Sequence, residues 1–77
     1  MSVDLQRHQV LKLRLRSKGS SFAQIARNLS VLQSSVTVVS QGYRRSHRIQ
    51  KAIATELQTT PADIFPERYA EREDISY

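Results

Sequence analysis

Apolar residues recur at helical spacing in two stretches of the chain. In FAQIARNL, residues 22–29, the apolar positions are separated by three, one and three residues, so they lie on one face of a predicted helix. Ser20 or Ser21 can cap its N-terminus. In RIQKAIATEL, residues 48–57, apolar residues at i, i+4 and i+8 form a second stripe, with Ser46 as the expected N-cap. The predicted buried faces are Phe22, Ile25, Ala26 and Leu29 in the first stretch and Ile49, Ala52, Ile53 and Leu57 in the second.

The segment DLQRHQVLKLRLRSK, residues 4–18, supports two interpretations. Leucine alternates with lysine or arginine at residues 11–16, which is the periodicity of a strand. Asp4 is a suitable N-cap, however, and Gly19 fits the position just after the end of a helix. We therefore predict a helix whose buried face contains two leucines and one neighbour, namely Leu11, Leu15 and either Val10 or His8.

The segment QSSVTVVS, residues 33–40, sets propensity against periodicity. Its serine and β-branched residues favour a strand by propensity. Val31, Val36 and Val39 are separated by five and three positions, which fits one face of a helix that begins near Gln33. Strict alternation fails because two serines and two valines are adjacent. We predict a helix that is held by packing.

The C-terminal third contains a strong helix start in TTPADIF, residues 59–65. Thr60 can be the N-cap, with Pro61 as the first helical residue and Asp63 near the positive end of the helix dipole. We expect Pro66 to end this helix, so that Ile64 and Phe65 dock on the core and the ring of Tyr69 folds back on apolar surface. Residues 70–77 have little to bury, and we expect a flexible tail there.

Residues 22–41 together have the spacing of a helix-turn-helix. Ala26 is the small residue that allows two helices to cross closely, Ser30 and Val31 form the turn, and Val36 and Val39 anchor the second helix. Short or β-branched side chains on that helix could enter a major groove without clashing. The predicted fold is therefore all-α, a compact bundle of about five short helices containing a helix-turn-helix. Its DNA-binding domain would span residues 1–69, followed by the tail at 70–77.

Composition excludes several classes of function. The 77 residues allow one small domain, and there is no cysteine for a disulfide or a thiolate metal site. We interpret His8 and His47 as surface or cap residues, and we see no catalytic set, phosphate loop or metal cluster. We therefore expect no enzyme activity, no cofactor and no small-molecule ligand. Without an apolar run of about 20 residues or a signal-like N-terminus, we expect a soluble cytoplasmic protein with no membrane partner.

Charge is distributed unevenly along the chain. Residues 1–51 contain ten of the 12 lysines and arginines but only one acid, Asp4, whereas residues 52–77 contain two arginines and six acids. A basic region of this strength suggests a polyanionic partner, and with the helix-turn-helix pattern that partner is double-stranded DNA.

Two sets of residues are candidates for contact with DNA. For five of them we predict contacts to base edges: Gln33, Ser34, Thr37, Val38 and Gln41. For six more we predict contacts to phosphates: Lys18, Arg27, Ser35, Arg44, Arg45 and Arg48. Backbone amides at Ser34 and Ser35 could also hold a phosphate at the helix N-terminus. Structural roles compete with these assignments, because Gln33 could cap a helix and Gln41 could lie in a solvated final turn.

Residues 11–69 resemble the Ner family of phage transcriptional regulators and their bacterial Ner-like relatives. The resemblance rests on the order KG, FAQIARNLSV, RIQKAIATEL and above all on PADIFPERY, residues 61–69. The chain departs from the family at Ser30, where glycine is common, and at YRRSHR, where a proline often precedes the next helix. The resemblance implies a compact helical fold similar to that of phage repressors, such as the lambda repressor. It also implies repression of phage or prophage early genes at the bacterial nucleoid, with the protein bound to DNA as a homodimer.

Two other functions compete with DNA binding. A protein-interaction module of the anti-repressor type could use the same helix-turn-helix face to bind a protein. RNA binding is disfavoured because Tyr43 is the one aromatic residue near the basic cluster, so no stacking platform is visible.

Overall fold

A computed structural model describes the backbone of residues 3–75 and the side chains of residues 3–70. The described backbone contains helices and no strand, which confirms the predicted all-α class. Residues 3–75 form six helices instead of about five. They are α1 (Leu5–Ser17), α2 (Phe22–Leu29), α3 (Gln33–Gln41), α4 (His47–Glu56), α5 (Pro61–Ile64) and α6 (Pro66–Ile75).

Polar side chains begin four of these helices. Asp4 at α1, Ser21 at α2, Ser46 at α4 and Thr60 at α5 each accept a hydrogen bond from a backbone amide of the first turn. Such a cap satisfies a donor that the helix itself leaves unpaired and contributes about 1 kcal/mol. The four starts predicted from the sequence are thus confirmed, with Ser21 the cap of α2.

Helix α1 shows why the alternating leucines do not form a strand. Leu11 and Leu15 are 1% and 0% exposed, one helical turn apart, whereas Leu13 is 61% exposed. The third buried position is occupied by His8 and not by Val10, which is half exposed. The interpretation of His8 as a surface or cap residue is therefore wrong.

His8 is buried because it has partners on two other helices. Its ring stacks on Phe22 with centroids 4.9 Å apart, and its Nδ1 lies 2.8 Å from the Oγ of Ser40. Burial, and to a smaller extent the nearby charge of Lys12, lowers the pKa of His8 from its usual value. The imidazole thus joins α1 to both α2 and α3.

The helices enclose one apolar core. Helix α2 packs on α3 and α4, α1 packs on α3, and α5 lies between α4 and α6. Fully buried side chains come from α1, α3, α4 and the α5–α6 junction, with Leu15, Val36, Ile53, Ala54 and Phe65 all at 0% exposure. A core drawn from this many elements fixes the orientation of α3 relative to the rest of the domain.

Pro66 has two roles, of which only one was predicted. Helix α5 ends at Ile64, with Phe65 as its C-cap, as expected. Pro66 then begins α6, because the first residue of a helix needs no amide donor and tolerates proline. The helical backbone continues to Ile75, and residues 76 and 77 lie outside the described part. Flexibility of the tail stays a prediction.

Candidate nucleic-acid interface

The turn between α2 and α3 is built on a serine in a left-handed conformation. Ser30 has φ 58° and ψ 44°, where glycine is usual. Its amide donates to the carbonyl of Arg27, and the amide of Val31 donates to the carbonyl of Ala26. These bonds close the C-terminus of α2, and α3 begins after three residues and packs on α2, in which Ala26 is buried.

Helix α3 is held from one side. Val36, Val39 and Ser40 are buried, at 0%, 3% and 0% exposure, as expected for the two valines. The opposite side carries Ser34, Val38 and Gln41, which lie on one line at spacings of four and three. The packing of α3 thus leaves a continuous outward surface for a partner.

The five residues predicted to contact bases all lie at or near this outward surface. Gln33 and Ser34 are exposed, and Thr37, Val38 and Gln41 are partly exposed. Gln33 and Thr37 are one turn apart and lie to one side of the outward line, whereas Ser35 lies to the other side. Their contacts with base edges stay predictions.

A cleft between α3 and the start of α4 brings four of the predicted phosphate contacts together. It has a volume of about 240 Å³ and is lined by Ser35, Arg44, Arg45 and Arg48, with Val31, Val39, Ser46 and Ile49. We call it the arginine cleft. Its three arginines are exposed, and Arg48 is oriented by a 2.8 Å hydrogen bond from its Nη2 to the carbonyl oxygen of Leu29. An anion in this cleft would meet three guanidinium groups.

The other two predicted phosphate contacts lie elsewhere. Lys18 donates from Nζ to the Oε1 of Gln58 over 3.3 Å, and Arg27 donates from Nη2 to the Oε1 of Gln24 over 2.9 Å. Both side chains are exposed, but neither lines the arginine cleft. The structure therefore separates Lys18 and Arg27 from the other four.

A second basic cleft lies on the other side of the α3 N-terminus. It has a volume of about 360 Å³ and is lined by Lys12 and Arg16 of α1, by Gln33, and by Ser20, Ser21, Phe22 and Ala23 at the start of α2. We call it the α1–α2 cleft. Lys12 and Arg16 were not among the predicted site residues, although their spacing of four on a predicted helix places them on one face.

The arginine cleft rests on a buried polar network. Gln50, on α4, accepts hydrogen bonds at Oε1 from the amide of Ser46 and from Nη1 of Arg68, at 3.2 and 2.8 Å. Its Nε2 donates to the hydroxyl of Tyr69, which also lies 2.7 Å from Nδ1 of His47. The start of α4 is therefore fixed to α6, next to the arginines.

Arg68 belongs to this support and not to the exposed surface. It is 6% exposed, and its guanidinium lies 4.1 Å from the ring centroid of Phe65. Burial and the neighbouring Arg7 lower the pKa of Arg68 from its usual value, while Glu67 opposes the shift. Arg7 pairs with Glu67 through two 2.9 Å hydrogen bonds and lowers the pKa of that carboxyl group.

Comparison with known proteins identifies the family. Residues 4–76 match the model of a family described as winged helix-turn-helix DNA-binding. The chain belongs to this family. No curated protein and no solved structure matches it. Because residues 3–75 contain no strand, the described backbone of this winged helix-turn-helix chain has no β-hairpin that could serve as a wing.

Membership of the winged helix-turn-helix family makes the chain a DNA-binding domain, with α2 and α3 as its helix-turn-helix. It supports the assignment of this chain as a DNA-binding regulator. None of the helices described is both long and apolar enough to cross a bilayer. The described residues contain no group of three or more histidine and acidic side chains arranged to bind a metal.

Proposed function

We propose that this protein is a sequence-specific regulator that binds double-stranded DNA and represses transcription by occupying operators. The observation that carries the proposal is the position of α3, which is anchored by Val36 and Val39 and presents its outward side between two basic clefts. An α-helix fits the major groove of B-DNA, and cations on both sides can neutralise the flanking phosphates.

Base reading is assigned to the outward side of α3. The Ser34 hydroxyl and the Gln33 and Gln41 amides can exchange hydrogen bonds with base edges, and the methyl groups of Thr37 and Val38 can contact thymine. Because these side chains are short except for the two glutamines, the helix axis can approach the groove floor closely. This explains why the helix has serine and β-branched residues where propensity would favour others.

Phosphate contacts are assigned to both clefts. The arginine cleft supplies Arg44, Arg45 and Arg48 with the Ser35 hydroxyl, and the α1–α2 cleft adds Lys12 and Arg16. Lys18 and Arg27 remain candidates for contacts further along the backbone. Contacts on both sides of one helix would fix its register along the groove, which phosphate contacts do in sequence-specific complexes.

The Ner resemblance supports a proposal for the regulated genes and for the binding stoichiometry. We propose repression of phage or prophage early genes at the nucleoid in the bacterial cytoplasm, by two copies bound to one operator. A single recognition helix buries a small interface, so two copies on adjacent half-sites would supply the specific affinity. The PADIFPERY stretch that carries the resemblance forms α5 and the beginning of α6.

Selection of bound duplexes from a random pool tests the proposal. We expect enrichment of a sequence with twofold symmetry, and the affinity for it should fall linearly with the logarithm of salt concentration. An unenriched pool would overturn sequence-specific binding, and a salt-independent affinity would overturn the phosphate contacts. If the unmodified protein binds no duplex at all, the protein-interaction module is favoured. If it binds single-stranded RNA more tightly than duplex DNA, an RNA-binding role is favoured.

The phosphate assignment has its own test with a matched control. Arg44→Ala should weaken selected and random duplexes alike and make the salt slope shallower by about one unit, because one phosphate contact is lost. Arg14→Ala removes an exposed arginine that lines neither cleft and should leave the slope unchanged. Equal slopes for Arg44→Ala and the unmodified protein in fluorescence anisotropy would remove Arg44 from the interface.

A further inference from the structure

The N-terminus of α3 differs from those of α1, α2, α4 and α5. Those four begin at an aspartate, serine or threonine whose side chain accepts a backbone hydrogen bond. The N-cap residue of α3 is Leu32, whose side chain makes no capping hydrogen bond. The backbone of Leu32, at φ −70° and ψ 144°, is extended, as at other N-caps, so a serine could adopt it. Leucine at this position therefore provides no side-chain cap, although the local backbone geometry would allow one.

Packing within the domain does not account for this leucine. Its side chain is 73% exposed, more than any other large apolar side chain that the structure describes. A single exposed leucine is ordinary on a protein surface. This one, however, occupies a position where leucine is a poor cap, so neither helix capping nor core burial favours it.

The neighbours of Leu32 indicate what could cover it. Val31 lines the arginine cleft, and Gln33 lines the α1–α2 cleft. Leu32 is therefore the residue that separates the two basic clefts along the chain. A duplex with phosphates in both clefts would pass over it, and the base group that an apolar side chain recognises in a major groove is the thymine methyl.

We propose that Leu32 is a specificity-determining residue that contacts the C5-methyl group of a thymine in each half-site. The inference rests on the proposed function and adds to it a defined base and a residue outside the outward line of α3. In this arrangement recognition explains the poor cap, because an apolar leucine can contact the thymine methyl group but cannot accept a hydrogen bond from the first turn of α3.

The test combines a protein variant with a DNA variant. Thymines of the selected duplex are replaced one at a time by deoxyuridine, which removes the methyl group and keeps base pairing. We expect one thymine per half-site at which this replacement weakens binding by the unmodified protein roughly 5- to 10-fold. Leu32→Ala removes the contact in both half-sites, so it should weaken binding to the intact duplex by roughly the square of that factor. Leu32→Ala should then be insensitive to deoxyuridine at that position, because the contact is already lost.

Two further variants separate recognition from structure. Leu32→Ser should lose the same affinity while raising the midpoint of thermal unfolding by about 4–8 °C, because it supplies a cap. Leu13→Ala removes a leucine that is 61% exposed on α1 and should retain wild-type affinity for every duplex. Gain in stability with loss of binding is an outcome that a purely structural leucine would not produce.

The outcomes separate this inference from the proposed function. If the unmodified protein does not distinguish the selected duplex from random DNA, sequence-specific binding fails and the inference fails with it. If it does distinguish them but Leu32→Ala responds to deoxyuridine at every thymine as the unmodified protein does, only the inference is overturned. Equal weakening of selected and random duplexes by Leu32→Ala would also overturn it, since that result indicates a contact with the sugar-phosphate backbone.

Discussion

Helices α3 and α4 are nearly equal in length but are stabilised in different ways. Helix α4 has a serine cap and an apolar stripe at i, i+4 and i+8. Helix α3 has a leucine at its cap and a run of serine, threonine and valine. Its helical form depends on Val36 and Val39 packing inside the bundle and on the Ser40–His8 contact. A segment with low helix propensity can thus form a helix when tertiary packing stabilises it, which leaves its exposed residues free to suit a partner.

The largest expected effect comes from opening the α5–α6 junction, where α5 packs on α4. Phe65→Ala should lower the free energy of unfolding by about 3–5 kcal/mol, because Phe65 is fully buried between the C-terminal helices and the core. Chemical denaturation measures this loss. A variant as stable as the wild type would show that the α5–α6 junction does not close the core. The ratio of affinities for selected and random duplex, measured where the variant is folded, should stay constant.

Thr37→Ala tests whether α3 is adapted to DNA. It removes a hydroxyl and a methyl group from the partly exposed side of α3 while improving helix propensity, so stability should not fall. Binding to the selected duplex should weaken by about 1–3 kcal/mol, with little change on random DNA. Thr55→Ala, at an exposed position on α4, is the matched control. If Thr37→Ala keeps the specificity ratio, and Gln33→Ala and Val38→Ala do too, the bases are read by another surface.

Acid should destabilise the contact between His8 of α1 and Ser40 of α3. The pKa of His8 is lowered in the folded protein, so the unfolded chain binds more protons once the pH falls below the usual histidine value of 6.5. Stability is therefore retained above about pH 6.5 and decreases as the pH falls through the interval down to the folded pKa, where the loss levels off. Denaturation between pH 7.5 and pH 5 in steps of about half a unit measures it. His8→Gln should flatten this dependence, and an unchanged slope would assign it to other groups.

The smallest expected effect concerns the turn before α3. Ser30→Gly should stabilise the protein by about 0.5–1 kcal/mol, because glycine adopts the left-handed conformation at φ 58° without a Cβ clash. Ser35→Gly, inside α3, should do the reverse by a similar amount. Loss of stability in Ser30→Gly would mean that the serine side chain contributes more at this turn than its backbone strain costs.

Local signals were sufficient for most of the fold. Caps and apolar spacing predicted α2, α4 and α5 closely, and Gly19 marked the end of α1. Helix α6 was missed because Pro66 was interpreted only as a stop, although a proline followed directly by glutamate and arginine is also a good helix start. The same pattern five residues earlier, at Pro61, predicts the start of α5.

The candidate site was less accessible from sequence, because its parts are distant along the chain. The sequence identifies Arg44, Arg45 and Arg48 as candidate phosphate contacts because they closely follow α3, but it does not predict that they line one cleft with Ser35. Lys12 and Arg16 come close to Gln33 only through the packing of α1 against α3, which no local spacing reports. His8 was misassigned for the same reason, because its partners Phe22 and Ser40 lie on other helices.

The ring of Phe65 lies against two guanidinium groups, those of Arg7 at 4.8 Å and of Arg68 at 4.1 Å from its centroid. Protons held over an aromatic face are shielded by its ring current, so the side-chain resonances of these two arginines should move upfield from those of the exposed arginines. The Arg68 signals should also exchange slowly with solvent, since the residue is buried. A proton spectrum of the arginine side chains would therefore report closure of the α5–α6 junction directly, in free protein and on DNA.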